Sequence, residues 1–133
     1  MRFARLSAVA GAVAYIAAIG GTVHAQSMSP MRGNVDSFSE TFAVRVFPTN
    51  PYGQRIKVEV KVYDKDFFEV PARITPETFS LAAGASRTVT VIVPFEGQKD
   101  RKVRICTESI PFPGQQTQIR TQICGKFLGR RHF

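Results

Sequence analysis

Strict alternation of apolar and polar residues between positions 56 and 63 constrains the fold of this chain more than any other feature. Every second position is β-branched and apolar, and the positions between are charged: Ile56, Val58, Val60 and Val62 against Lys57, Glu59 and Lys61. Because successive side chains of a β-strand point to opposite faces, this pattern predicts a strand with one face on a core and the other in water.

Further alternating or β-branched segments, bounded by turn residues, predict short strands at residues 42–47, 70–74, 79–81, 88–93, 102–108 and 118–127. The residues between the first of these and residues 56–63 have turn chemistry at almost every position, which predicts a hairpin. No segment has the periodicity of an amphipathic helix. The pattern indicates an all-β, immunoglobulin-like β-sandwich of about seven antiparallel strands, with a small barrel as the competing architecture.

The N-terminus has the pattern of an export signal. Arg2 and Arg5 precede an apolar run over residues 6–19, and Val23-His24-Ala25 supplies small residues for cleavage. A membrane anchor is the alternative, but a span needs about 20 apolar residues, more than this unbroken run offers. We therefore expect a signal peptide at residues 1–25, no stable membrane span after cleavage, and a mature protein in the periplasm or outside the cell.

The expected mature part, residues 26–133, is a single basic domain. It keeps sixteen Lys and Arg residues against ten Asp and Glu, a net charge of +6. Such a charge attracts nucleic acid, anionic lipid headgroups or an acidic partner. The basic residues are spread along the chain, with small groups only at residues 99–104 and 130–131, whereas nucleic-acid footprints are denser and interleaved with aromatic residues. We expect a solvated basic surface and no nucleic-acid partner.

The two cysteines lie in the mature part, and export takes them to an oxidising compartment. Cys106 and Cys124 fall on the same polar face of the last two predicted strands. Their midpoint, Gln115, lies within residues 111–116, where turn residues cluster. Register and turn therefore agree on a hairpin bridged by a Cys106–Cys124 disulfide, which leaves no thiol for nucleophilic chemistry.

The mature sequence lacks the residues of a catalytic or metal site. Its single histidine, His132, stands next to the end of the chain, where a catalytic arrangement would rest on a frayed segment. Asp64, Asp66 and Glu69 are close together, but carboxylates in a polar turn beside lysines are typical of solvated turn residues. There is no Gly-rich phosphate loop. We expect no enzymatic activity, no metal and no cofactor, so a periplasmic hydrolase is the weakest hypothesis.

Two segments carry a family resemblance. Residues 74–89 have the sequence ITPETFSLAAGASRTV, and residues 106–111 have the sequence CTESIP. The first is similar to the T-P-x-x-x-x-L-x-P-G-x-x-x-x-V segment of the N-terminal domain of periplasmic pilus chaperones, and the second to the E-I-P end of that domain's sixth strand. In order and spacing, residues 29–127 resemble this domain and, more distantly, the major sperm protein domain.

The resemblance implies an immunoglobulin-like sandwich, without catalysis or cofactor, whose last strand pairs with an incomplete pilus subunit. In such strand addition, backbone ladder bonds give affinity and alternate side chains give selectivity. By resemblance the donor is residues 118–124, with Ile119, Thr121 and Ile123 pointing into the partner.

The family's complete chaperones have a second sandwich domain, whereas one is expected here. They also anchor the partner's terminal carboxylate with an arginine and a lysine. Arg32 roughly matches the arginine, but the lysine aligns near Ile123 or Cys124, neither of which is cationic.

We therefore expect an exported, chaperone-like module that binds another exported protein, such as a pilus subunit or envelope protein. A structural pilus or envelope component with the same fold is the alternative. For the last strand, the competing interpretation is that Ile119 and Ile123 serve packing alone, while Arg120, Gln122 and Lys126 guard an unpaired edge. The sequence does not predict an oligomeric state.

Overall fold

The computed structural model describes residues 27–110 and 120–133, which form strands and the turns that connect them. The nine strands are β1 (Ser27–Ser29), β2 (Arg32–Ser37), β3 (Thr41–Thr49), β4 (Ile56–Asp64), β5 (Arg73–Thr75), β6 (Thr78–Leu81), β7 (Val89–Pro94), β8 (Asp100–Ile110) and β9 (Thr121–Arg131). The predicted signal peptide and the predicted turn around Gln115 lie outside the described residues.

The strands form two packed sheets, one with the order β1-β3-β7-β5 and one with the order β2-β9-β8-β4-β6. Every pair is antiparallel except β2 and β9, which run parallel. The predicted all-β, immunoglobulin-like sandwich is confirmed. The described residues form nine strands because residues 27–37 contribute two short ones, β1 and β2, that sequence alternation does not indicate.

β4 lies within the five-stranded sheet, and its two faces match the prediction. Its four β-branched side chains are at most 1% exposed, whereas Lys57 is exposed and Lys61 half-buried. The core that they join contains Met28, Phe42, Val44, Val46, Phe79, Leu81, Val89, Val91, Val93, Phe95, Val103, Ile105 and Phe127. Side chains from both sheets therefore build one continuous core.

The predicted hairpin between residues 42–47 and 56–63 is wrong. β3 pairs with β1 and β7, while β4 pairs with β6 and β8, so these consecutive strands lie in different sheets. The connection turns at Asn50, which is fully buried. Its side-chain amide donates hydrogen bonds to backbone carbonyls, at 2.7 to 3.1 Å, of Gln54, Leu81 and Ala82. These bonds tie the connection to the end of β6, so the turn residues serve a crossover between the sheets.

Strand boundaries also differ from the predictions, most clearly in β5 and β9. β5 is confined to Arg73–Thr75, and β9 continues to Arg131, beyond the expected end at residue 127. The extension of β9 packs closely on Phe42 of the opposite sheet. A Cβ atom at Gly129 would stand only 2.5 Å from Cδ1 of Phe42. A glycine at this position therefore lets β9 run on across the sandwich.

Candidate functional site

Strand β9 is paired along its whole length on one side but only in part on the other. β8 pairs with it from Thr121 to Arg130. On the opposite side β2 pairs with it only from Lys126 to Arg131. Within the part of the chain that the structure describes, no strand covers that side of residues 122–125. We call these four residues the open edge.

The backbone of the open edge directs hydrogen-bonding groups away from β8. The N–H of Lys126 donates to the carbonyl oxygen of Met31 at 2.9 Å, so it points toward β2. Because these directions alternate along a strand, the N–H and C=O groups of Gln122 and Cys124 point to the same side as those of Lys126. The Cα atoms of Cys106 and Cys124 are 4.1 Å apart, as in a cross-strand pair that exchanges no backbone hydrogen bonds, where the distance is about 4.5 Å.

Two of the three side chains predicted to contact a partner lie on the inner face of the sheet. Ile123 is half-buried, stands opposite Thr107 and packs against the core. Thr121 shares this face, and its hydroxyl hydrogen-bonds with that of Ser109 at 2.7 Å. Ile119, the third residue predicted to contact a partner, lies outside the described residues. Thr121 and Ile123 therefore form one row beside the open edge.

The predicted disulfide fastens the open edge to the middle of the sheet. Cys106 and Cys124 are directly opposite each other in β8 and β9, and their sulfur atoms are bonded at 2.04 Å. Both lie on the outer face, as expected, but Cys106 is fully buried. The reason is its position in an interior strand, where Lys61 of β4 flanks it on one side and Cys124 on the other.

Polar side chains next to the open edge are held over the outer face of the sheet. Gln122 donates a hydrogen bond to Glu108 at 3.0 Å, and Arg120 stands 4.0 Å from the same carboxylate. Tyr63 also reaches Glu108, at 3.4 Å. Burial, together with the negative charge of Glu108, raises the pKa of Tyr63, so the phenol keeps its proton and donates it. Two of the three residues proposed as guards thus point to β8.

Arg32 lies where β2 meets β9 and has a cationic neighbour that the sequence alignment missed. The register puts Arg32 directly opposite Lys126. Lys126 follows Ile123 and Cys124 by three and two residues. Only the parallel pairing of β2 with β9 reveals that Lys126 stands opposite Arg32, because the two strands are far apart in the sequence. Both cations stand next to the end of the open edge.

The described residues offer neither a metal site nor a membrane-spanning helix. No group of three or more His, Cys, Asp or Glu side chains within residues 27–110 and 120–133 is arranged to hold a metal ion. In the same ranges, no helix is long and apolar enough to cross a membrane. Asp64 acts within its own turn, since its Oδ1 accepts hydrogen bonds from the N–H groups of Asp66 and Phe68 at 2.8 and 3.0 Å.

This sandwich has the fold of the periplasmic pilus chaperones. The E. coli chaperone DraB matches it with a TM-score of 0.66 and 20% sequence identity, over 80% of this chain and 55% of DraB. The SafB chaperone, solved in complex with the Salmonella enterica SafA pilin, gives a TM-score of 0.64 and 19% identity over 80% of this chain and 54% of SafB. The PapD-like domain of human CEP192 gives a TM-score of 0.59 and 12% sequence identity, over 80% of this chain and 84% of that domain.

These similarities confirm the predicted resemblance at the level of the fold. The chain spans little more than half the length of the two chaperones. No protein-family model matches the sequence, and no curated protein matches it significantly. The two bacterial structures, DraB and SafB, share this fold and are chaperones, and SafB was solved in complex with a pilin.

Proposed function

We propose that this chain is an exported, chaperone-like module that binds another exported protein by strand addition at the open edge of β9. The partial covering of β9 carries this proposal: β2 stops pairing at Lys126, and no described strand pairs with that side of residues 122–125. A partner strand there would complete the backbone hydrogen bonds of Gln122 and Cys124. Its inward side chains would extend the row formed by Thr121 and Ile123.

The edge strands other than β2 are short. β1, β5 and β6, which end the two sheets elsewhere, have three or four residues each. Short edges are one means by which proteins avoid pairing with other chains. The eleven-residue β9 lacks this protection at the open edge, and its nearby polar groups are directed to Glu108. The open edge itself has four residues, one more than β1 and β5 and as many as β6.

Arg32 and Lys126 make one end of the proposed site different from the other. They stand at the point where β2 begins, so a strand added to the open edge would meet them at one end. By resemblance to the pilus chaperones, these cations would hold the terminal carboxylate of the partner. A carboxylate between two cations forms charge-assisted hydrogen bonds, which are stronger than neutral ones.

The proposed partner is a pilus subunit or another envelope protein that arrives in the periplasm with an incomplete sheet. Export of this chain by residues 1–25 would bring the two together. The support is the fold shared with periplasmic chaperones, one of them solved with its pilin, together with the signal pattern of the sequence. An enzymatic role has no comparable support.

The edge itself is tested by replacing Gln122 with proline. Proline removes the outward N–H of this residue, and a proline is tolerated where a strand's N–H faces away from its neighbour. We expect Gln122→Pro to keep a thermal midpoint close to that of wild type. Recovery of the co-purifying exported partner, measured by quantitative mass spectrometry, should fall about fivefold or more, the effect of roughly one lost backbone hydrogen bond.

Gln122→Ala is the matched control, because it removes the same side chain and its bond to Glu108 but keeps the backbone N–H. It should recover the partner as well as wild type does. Equal recovery by the proline and alanine variants would contradict strand addition at this edge.

A further inference from the structure

Strand β3 has an uncovered side in the four-stranded sheet. β7 pairs with β3 from Thr41 to Val46 on one side. On the other side β1 pairs only with residues 47–49 of β3, and Pro30, which follows β1, has no N–H with which to continue the ladder. In the described part of the chain, no strand pairs with that side of residues 42–46. We call these five residues the β3 edge.

The backbone groups of two residues point outward from the β3 edge. The N–H of Phe95 donates to the carbonyl oxygen of Glu40 at 2.9 Å, so the carbonyl of Glu40 points to the side of β7. Because these directions alternate along a strand, residues 42, 44 and 46 also direct their N–H and C=O groups to β7. The N–H and C=O groups of Ala43 and Arg45 therefore point away from β7, to the uncovered side.

Both ends of the β3 edge are closed. At one end, the hydroxyl groups of Ser37 and Ser39 donate to the carbonyl oxygen of Thr41 at 2.6 and 2.8 Å, and the N–H of Thr41 donates to Oγ of Ser39 at 3.3 Å. At the other end, Ser29 of β1 stands opposite Phe47. An added strand is therefore limited to about five residues, the length of the β3 edge.

A second copy of this chain does not suit the β3 edge. If Ala43 of one copy faced Arg45 of the other, Thr41 would come opposite Phe47 of the second copy, where Ser29 of that copy already lies. Facing Arg45 with Arg45 brings Ala43 to the same place and opposes like charges. Facing Ala43 with Ala43 directs Arg45 to Thr41, whose backbone groups the two serines hold. The occupant is therefore a segment without such flanking structure.

The strands around the β3 edge carry positive charge and no acid. β1, β3, β5 and β7 contain no Asp, Glu or Lys, and their charged residues are Arg45 and Arg73. Both arginines are exposed, and no ion pair in the described part of the chain involves either of them. An acidic side chain opposite Arg45 would form a cross-strand pair of opposite charges, which stabilises a sheet. Glu40 lies beyond the far end of the edge, so an acid is favoured beside Arg45 and disfavoured beside Thr41.

The inner side of the position for an added strand is apolar. Phe42, Val44 and Val46 of β3 are buried in the core. Phe42 lies over Gly129 of β9, and Val35 of β2 stands directly beside Gly129. The position next to Phe42 on the uncovered side therefore lies over Val35, which is only half-buried. An apolar side chain that entered there would cover Val35 and extend the core.

We propose that the β3 edge binds an extended segment of another protein in which apolar residues alternate with polar ones, one of them an Asp or Glu opposite Arg45. The backbone of this segment pairs with Ala43 and Arg45, and its apolar side chains face inward over Val35. The β3 edge belongs to the four-stranded sheet and the open edge to the five-stranded one. The inference therefore does not depend on the proposed chaperone function.

The test is a titration of the exported, purified, isotope-labelled chain with two blocked pentapeptides, followed by the amide chemical shifts in NMR spectra. In antiparallel pairing, the peptide VEVTV places its glutamate opposite Arg45 and its threonine opposite Ala43. The peptide VKVTV has lysine in place of the glutamate. Because the ladder is short, we expect VEVTV to shift both amides with a Kd on the order of 1 mM. VKVTV should bind about fivefold more weakly.

Exchanging the charge on the chain tests the same contact from the other side. Arg45→Glu should reverse the preference, so that VKVTV binds about fivefold more tightly than VEVTV. Arg73→Glu is the matched control, because it makes the same charge change in β5, two strands away from β3, and it should keep the wild-type preference. Ala43→Pro removes an outward N–H and should weaken binding of both peptides about fivefold or more. A thermal midpoint near that of wild type is required of each variant.

Shifts at residues 122–125 without shifts at the β3 edge would overturn the proposal, since the peptides would then bind the open edge. So would equal binding of the two peptides, or unshifted Ala43 and Arg45 amides at about 5 mM VEVTV, several times the expected Kd. Shifts of these amides that depend on protein concentration without peptide would also overturn it, in favour of a second copy.

Discussion

Replacing Val60 by aspartate is expected to unfold the domain. Val60 is fully buried in β4, stands opposite Thr107 of β8, and shares the hydrophobic core with Val58 and Val62. An aspartate there would bury a charge without a partner, which is among the few single changes that cost more than about 4 kcal/mol. Because whole domains are stable by only about 5–15 kcal/mol, urea unfolding monitored by circular dichroism should show little or no folded protein.

The matched control is Lys57→Asp, which introduces the same residue on the exposed face of the same strand. It should change the free energy of unfolding by about 1 kcal/mol or less, as surface substitutions usually do. A cooperative transition near the wild-type midpoint for Val60→Asp, with an unfolded Lys57→Asp, would mean that the face assignment of β4 is inverted.

Loss of the disulfide is expected to have the second largest effect. The bridge joins residues 18 positions apart in sequence, and the chain-entropy account gives such a loop about 3 kcal/mol. For Cys106→Ala/Cys124→Ala, the thermal midpoint should fall by more than about 10 °C, given about 4–8 °C per kcal/mol in a domain of this size. The loss of stability should be greater at the open edge than in the rest of β9, because Cys124 is the covalent link between the open edge and β8.

The wild-type protein provides the first check on this prediction. When it is denatured without reductant, we expect no titratable thiol, and reduction should raise its mass by that of two hydrogen atoms. Two titratable thiols in the unreduced protein would contradict the bridge. An unchanged midpoint for the double alanine variant would contradict its contribution to stability.

Local patterns in the sequence predicted the strands and their faces, because side-chain alternation follows from strand geometry alone. The four apolar residues of β4 and the opposition of Cys106 and Cys124 could both be inferred in this way. The sheet to which each strand belongs could not be inferred in this way. Turn residues such as Pro48, Asn50 and Gly53 suit a hairpin and a crossover equally, and the difference here is made by Asn50, whose amide reaches carbonyls about thirty residues away.

The candidate site was predictable only where it depends on one strand. The inward row containing Thr121 and Ile123 follows from alternation, and Ile119 stays a prediction. The extent of the open edge depends on β2, whose six residues alternate weakly and pair with β9 across a long stretch of sequence. The opposition of Arg32 and Lys126 follows from that same pairing.

Backbone amide hydrogen exchange of the chain, alone and in complex with its co-purified exported partner, tests strand addition most directly. Free backbone N–H groups exchange quickly, and those that enter a ladder are protected. We predict strong new protection at Gln122 and Cys124 in the complex, with little change in β6 at the opposite end of the same sheet. Protection at β6 or elsewhere, with residues 122–125 exchanging as in the isolated chain, would contradict binding by strand addition at the open edge.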